Sequence, residues 1–222
     1  MEIENKQGQL LLDFWDDKAQ IVLEEPILSA QGELDDKIFI FSTLNSPTIS
    51  DSEYKKLRVV KSEINNCEIT RAFFDNCNFS QSAFQGGTIS NVKFTNCKFL
   101  RTQLTEVFFI DCEFTDCKLT EAIDTRVKMK DCFFHGCDFT LANFKEGEKK
   151  VEFVDCEFFQ SFFCLANLKG SRFDDCNLEC EFESVVIDDV SFFKCSGVKS
   201  NAERLQEQNY VQTLDGIIVC VR

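Results

Sequence analysis

The chain has 222 residues, 38 acids against 24 bases for a net charge of −14, and 25 Phe, 13 Cys, nine Gly and a single His. That length fits one domain or one elongated repeat array with caps, and the acidic balance argues against direct binding to nucleic acid phosphates, whose attraction needs Lys and Arg. The acidic opening Met1-Glu2-Ile3-Glu4 leads only to Leu10-Leu11-Leu12, unlike a secretory signal, and no run approaches the about 18 apolar residues of a membrane span. The expectation is a cytoplasmic protein of a reducing compartment, with no membrane partner.

Residues 1–61 read as an N-terminal, β-rich cap. Gln20 to Leu23 and Lys37 to Ser42 have strand character, Glu25-Pro26 and Ser46-Pro47 mark turns, and Phe14-Trp15 belongs to the cap core. A spacing of five can be traced back from Val59 through Tyr54, Ile49, Leu44 and Phe39 to Leu34. Two readings follow: degenerate coils from near Leu34, or a separate cap over the first coil. The one taken here is a cap that merges into the following region.

From residue 62 to 198 one rule dominates: every fifth residue is apolar. The series runs from Ile64 to Phe144, is interrupted at Asp124 and Lys149, resumes one residue early at Phe153, and takes a four-residue step between Leu178 and Phe182. Of the 27 slots between Ile64 and Phe192, 25 are apolar and 16 are Phe, including Phe79, Phe99, Phe114, Phe139 and Phe158. Two residues before each slot stands a small residue, and eleven of the 13 cysteines fall there. Neither a helix, with period near 3.6, nor a flat strand, with period 2, sustains such a spacing. A short fixed period over more than a hundred residues marks a solenoid, each unit burying its apolar face only against its neighbours.

Clear copies of the unit are Cys77-Asn78-Phe79-Ser80-Gln81, Cys112-Glu113-Phe114-Thr115-Asp116 and Cys137-Asp138-Phe139-Thr140-Leu141. On these residues the chain resembles the pentapeptide-repeat proteins, which implies an all-β solenoid, a right-handed quadrilateral β-helix with four units per coil. Four units of five should align equivalent positions every twenty residues. Cys77, Cys97, Cys117, Cys137, Cys156, Cys176 and Cys195 are spaced 20, 20, 20, 19, 20 and 19. This places a column of seven cysteines on one face of one continuous helix. The thiols read as small buried hydrophobes: stacked neighbours have parallel Cβ vectors, poor disulfide geometry, and no pair has zinc spacing. No metal and no cofactor is expected.

Glu146, Gly147, Glu148, Lys149 and Lys150 put charge into an apolar slot, and so read as a loop bulging from one corner. Residues 199–222 form the last segment. Ser200 to Leu214 reads as a capping helix with Leu205, Tyr210, Val211 and Leu214 on its buried face, Gly216 stops it, and Ile217-Ile218-Val219-Cys220-Val221 is a short strand. Capping is needed because an open β-helix end exposes unpaired backbone. A helix ending in Leu-x-Gly followed by Ile-Ile-Val also resembles the end of the quinolone-resistance members of the family. That resemblance implies that the helix caps the rod and joins two rods end to end into a homodimer, with Leu205, Tyr210, Val211, Leu214, Ile217, Ile218 and Val219 as the cap and dimer residues, and an acidic rod that imitates DNA and binds DNA gyrase or another type II topoisomerase.

Between residues 62 and 198 stand 23 acids and 14 bases. Such a surplus favours a basic protein surface as partner, including surfaces that normally hold DNA. The candidate acidic binding face is Asp174, Asp175, Glu179, Glu181, Glu183, Asp188 and Asp189, with no Lys or Arg between them. Lys93, Lys98, Arg101, Arg126, Lys128 and Lys130 dilute the earlier coils. The alternative to mimicry is a protein-interaction scaffold that makes contact through the N-terminal cap or the 146–150 loop. Catalysis is not expected: His135 lies in an outward slot, Cys132 and Cys137 point inward, and Cys164 is 29 residues away, not a whole number of coils.

Overall fold

The computed structural model describes residues 5–6, 9–10, 21–23, 38–40, 42–144, 151–187, 190–197, 210–212 and 217–220. Between residues 38 and 144 the strands are short and pair in parallel with the strand one coil earlier and one coil later, in a register of twenty: Phe73↔Lys93, Lys93↔Glu113 and Glu113↔Phe133 on one face, Glu63↔Ala83 and Ala83↔Gln103 on another. The result is a parallel β-helix. Asn76, Asn96, Asp116 and their equivalents adopt left-handed φ near 50° two residues after each apolar slot, which turns the chain through a corner once per unit of five. For a residue with a Cβ that conformation costs roughly 1–2 kcal/mol, least for Asn and Asp. The sequence accordingly fills many corners with those two.

Four apolar columns fill the interior, one per face. Face one holds Phe39, Val59, Phe79, Phe99, Leu119, Phe139, Phe163 and Phe182, all buried. Face two runs from Leu44 through Phe84 and Phe144 to Ile187, and face three from Ile49 through Phe109 and Phe153 to Phe192. On face four Tyr54, Phe74, Phe94, Phe114, Phe134 and Phe158 form an unbroken stack with ring centroids 4.8–5.2 Å apart. Parallel rings of one column meet the rings of the next edge-on, as for Phe94 and Phe99 at 5.4 Å and 77°, so both favourable aromatic geometries are used at each level. The eight members of face one, at about 4.8 Å per step, give a stack of about 34 Å.

Residues 38–40 and 42–61 belong to this helix. Ile38–Ile40 pairs in parallel with Arg58–Val60, Thr43 with Glu63, Thr48 with Glu68 and Glu53 with Phe73, and Phe39, Leu44, Ile49, Tyr54 and Val59 occupy the interior slots. This stretch forms a full degenerate coil. Ile21–Leu23 adds a parallel strand beside Ser42–Leu44. Phe14-Trp15 lies outside the described residues.

The register changes in two places. Met129 pairs with Phe153, Phe134 with Phe158 and Phe133 with Glu157, steps of 24 and not 19. A gap of nine residues between Phe144 and Phe153 can mean two units short by one residue or one unit longer by four, and a period of five cannot tell these apart. Pairing shows the second. The single column of seven cysteines is therefore corrected to two on adjacent faces. Cys77, Cys97, Cys117 and Cys137 continue into Ser161, whose hydroxyl accepts from the Cys137 amide at 3.2 Å. Cys112 and Cys132 continue into Cys156, Cys176 and Cys195. The second change, between Leu178 and Phe182, is a shortening: Phe173 pairs with Phe192, a step of 19. Residues 145–150 themselves lie outside the described residues.

The end of the chain departs from expectation. Tyr210 and Val211 lie in a strand, Tyr210–Gln212, antiparallel to Ile217–Cys220, which runs antiparallel along Val190–Phe193 of the last coil. An exposed coil edge offers a row of unpaired amides and carbonyls, which a strand can satisfy and a helix cannot; Tyr and Val suit a strand. Leu205, Leu214 and the rest of the expected helix lie outside the described residues.

Truncating Phe114, which stacks at 4.9 Å on both Phe94 and Phe134, is expected to cost about 3–5 kcal/mol in a denaturant titration of Phe114→Ala; a loss below about 1 kcal/mol contradicts the stacked column. A Cβ on Gly87, at φ +111°, would stand 2.2 Å from the Cys67 carbonyl oxygen, whereas one on Gly170, at φ +77°, meets nothing within 4 Å. Thermal melts should therefore show Gly87→Ala losing about 2–3 kcal/mol and Gly170→Ala about 1 kcal/mol.

Candidate binding surface

Among the described residues the interior is filled by aromatic and aliphatic side chains and by small Cys, Ser, Thr, Ala and Val residues. Where the small inward slot holds Cys, the thiol commonly donates to a carbonyl of the coil beneath: Cys97 to Phe74 at 3.3 Å, Cys117 to Phe94 at 3.3 Å, Cys137 to Phe114 at 3.3 Å and Cys112 to Ile89 at 3.3 Å. Ser82 and Thr102 do the same with hydroxyls, to Val59 at 2.8 Å and Phe79 at 3.0 Å. Ala72, Val92, Val107, Ala122 and Val127 fill the same slot, so what it requires is a small side chain; a thiol or hydroxyl placed there satisfies its own donor on the coil beneath. All twelve cysteines with described side chains are unbridged. Burial pushes the Cys67 thiol up to about 12 and raises that of Cys180 too, so these groups are protonated and unreactive.

His135 sits in an outward slot of face four, its Nε2 3.2 Å from Gln160 Oε1 and its ring 5.3 Å from that of Phe159. The Cys132 and Cys137 thiols donate inward, to Phe109 and Phe114. Cys164 stands on face one beside Glu183 Oε2, at 4.0 Å. No thiol–imidazole pair forms among these residues, and no metal-binding group of His, Cys, Asp and Glu is found among the described residues.

The seven acids read as one face are not coplanar. Residues contiguous in sequence wind around a four-sided coil, so Asp174 lies on face three, Asp175 on the corner after it, Glu179 on face four, and Glu181 and Glu183 on face one. Asp174 is largely covered and meets Arg172 at 2.5 Å; Asp175 faces Lys194 at 3.5 Å. Glu179, Glu181 and Glu183 are exposed. Asp188 and Asp189 lie outside the described residues.

Charge does run along the axis elsewhere. The corner between faces three and four carries Asp111, Asp131, Asp155 and Asp175 on four successive coils, all at φ 50–52°. Their field is visible at Lys130, whose ammonium is raised by its hydrogen bond to Asp131 and further by Asp155 and Asp111. Within the row Asp131 pairs with Lys130 at 3.0 Å and Asp175 with Lys194 at 3.5 Å; elsewhere bases pair with acids of the coil above or below, Arg71 with Asp51, Lys93 with Glu113, Arg101 with Glu121, Arg126 with Glu106 and Lys128 with Glu152. Five of the six bases that dilute the early coils are engaged in ion pairs.

Sequence reasoning missed an apolar surface. Leu141, Phe159, Phe162 and Leu165 are exposed, Phe162 by 42% and Leu165 by 51%. The signal was present: Phe159 directly follows the interior slot Phe158 and Phe162 directly precedes Phe163, and the positions beside a slot point outward. Phe108 and Val186 are exposed on faces three and two.

A family model described as pentapeptide repeats matches residues 62–99, with eight copies found. No curated protein matches the sequence. Among solved structures, HetL from the cyanobacterium Nostoc sp. strain PCC 7120, a pentapeptide repeat protein involved in heterocyst differentiation regulation, is similar at 10% identity, covering 80% of this chain and 87% of its own, with a TM-score of 0.46. Full-length QnrB1, a plasmid-mediated fluoroquinolone resistance protein, is similar at 14% identity, covering 76% and 96%, with a TM-score of 0.32. Among the described residues no helix is long and apolar enough to cross a membrane.

A thiol whose folded pKa lies above its unfolded value, near 8.5, stabilises the fold below that value and loses the contribution as pH climbs towards the folded one. With Cys67 at about 12, thermal melts in reductant should show a midpoint that falls from about pH 8.5 to 10. A flat profile there contradicts thiols held neutral by burial.

Proposed function

We propose that this chain, a pentapeptide-repeat protein, works as a non-enzymatic binding rod that presents carboxylates to a basic protein surface. The observation that carries the reading is the axial row Asp111, Asp131, Asp155 and Asp175, repeated coil by coil on a rigid stack. One carboxylate per about 4.8 Å, with Asp131 and Asp175 matched by Lys130 and Lys194, is at most roughly a third of the charge density of duplex DNA, which carries one per about 1.7 Å of axis. A single row attracts a basic surface; imitation of the whole duplex calls on neighbouring columns too. The narrower form of the proposal is a DNA mimic whose partner is DNA gyrase or another type II topoisomerase. Its support is the resemblance of Ile217-Ile218-Val219 and the preceding Leu-x-Gly to the quinolone-resistance type. In that form two rods join end to end through their C-termini, in the cytoplasm.

The test is a supercoiling assay with purified gyrase, with and without a quinolone, comparing wild type with Asp131→Asn/Asp155→Asn. Asn accepts the left-handed corner as readily as Asp, so the variant should keep its stability to within about 0.5 kcal/mol while losing two charges of the row. Inhibition or drug protection that the variant loses supports the narrower form. Wild-type protein that is inert well above the enzyme's concentration sinks that form and leaves the partner a different basic protein.

A further inference from the structure

Over the last three coils faces one and four carry an unusual combination. Phe162 stands in line with Asp138 on the coil before it and Glu181 on the coil after it. Phe159 stands likewise between His135 and Glu179. Leu141 and Leu165 occupy corners of successive coils beyond face one, and the half-buried Cys164 precedes Leu165. The fold does not require these side chains. In the Phe162 column Arg58, Asn78, Lys98, Lys118 and Asp138 hold the same outward position on the preceding coils, and an outward ring adds nothing to the interior stack.

The rim has one sign. Asp138, Glu157, Glu179, Glu181 and Glu183 surround the apolar positions, and among the described residues no Lys or Arg points outward from these two faces over these coils. Asp138 is occupied in part by the Thr140 amide, at 2.9 Å; none of the five forms an ion pair with a described residue, whereas Asp51, Glu106, Glu113, Glu121 and Asp175 are each matched by a base. Exposed apolar groups rimmed by charge mark an interaction surface, and the sign selects the occupant. An anionic lipid surface or nucleic acid would be repelled. A second copy docking through the same patch would set carboxylates against carboxylates.

We infer that this surface docks a cationic amphipathic segment of a partner protein, its apolar side on Phe159, Phe162, Leu141 and Leu165 and its Lys or Arg side chains on Glu179, Glu181 and Glu183. The inference rests on the acidic-rod reading and adds to it a place of contact and a demand for apolar periodicity. Helical segments with an apolar stripe and basic flanks meet that demand.

The experiment uses fluorescence anisotropy with two labelled peptides of identical Leu and Lys composition, one with its leucines at helical spacing and one with them scattered. The full chain should bind the periodic peptide at least about tenfold more tightly than the scattered one. Phe159→Ser/Phe162→Ser should erase that preference, and Glu181→Gln/Glu183→Gln should weaken the periodic peptide by about tenfold at low salt. Both variants should melt with the wild type, since the altered positions face outward. Equal affinity for the two peptides, or a preference that survives the Phe substitutions, overturns the inference. If binding instead falls only in Asp131→Asn/Asp155→Asn, the docking surface is wrong and the acidic rod stands. If neither peptide shows salt-sensitive binding, both fall.

Discussion

The constraint on which the rest of the structure depends is the hydrogen-bond register between coils. Each face passes its amides to carbonyls one coil away, as in Lys93 N–H to Ala72 O at 3.0 Å and Lys98 N–H to Cys77 O at 2.9 Å, and a buried peptide group without such a partner would cost far more than a mismatched side chain. Once the step is set at twenty, every residue has a fixed neighbour above and below. Phe then meets Phe, a small donor meets a carbonyl, and Arg101 meets Glu121. The interior columns and the surface rows are consequences of the same ladder.

This separates acids required by the backbone from acids the fold leaves free. Asp111, Asp131, Asp155 and Asp175 all sit at left-handed corners, where a short polar side chain lowers the conformational cost. Part of the negative charge is thus a by-product of turning the chain every five residues. Glu179, Glu181 and Glu183 stand beside interior slots, at positions with no such demand. They gather around exposed Phe and Leu, again without a folding reason. The surface with the fewest structural duties is the one given a partner above.

The columns were legible in the sequence because their period survives any rotation of the reader's frame: Phe114, Phe139 and their neighbours could be placed inward without knowing which face they occupied. Face assignment was not legible beyond Phe144. The gap of nine residues before Phe153 satisfies a period of five both ways, so Cys156 could be put in line with Cys137, whereas pairing puts it in line with Cys132. For the same reason seven acids adjacent in sequence could be taken as one face, although a coil spreads them around the rod. At the C-terminus, local helix signals competed with strand pairing: Ile217–Cys220 covers the edge of the last coil, and Tyr210–Gln212 pairs on the outer side of that strand. The Phe159 and Phe162 surface was readable in principle, as apolar residues on both sides of an apolar slot.

The most direct test of this account is the register across the Phe144–Phe153 gap, since every surface assignment in the last three coils depends on it. Nuclear Overhauser contacts between backbone protons of adjacent coils report it in solution on isotope-labelled protein. The account predicts contacts from the Phe134 strand to the Phe158 strand and from Met129 to Phe153, the steps of 24. Contacts from Phe134 to Phe153 would mean a step of 19, restore a single cysteine column, and move Phe159, Phe162 and their acidic rim to other faces.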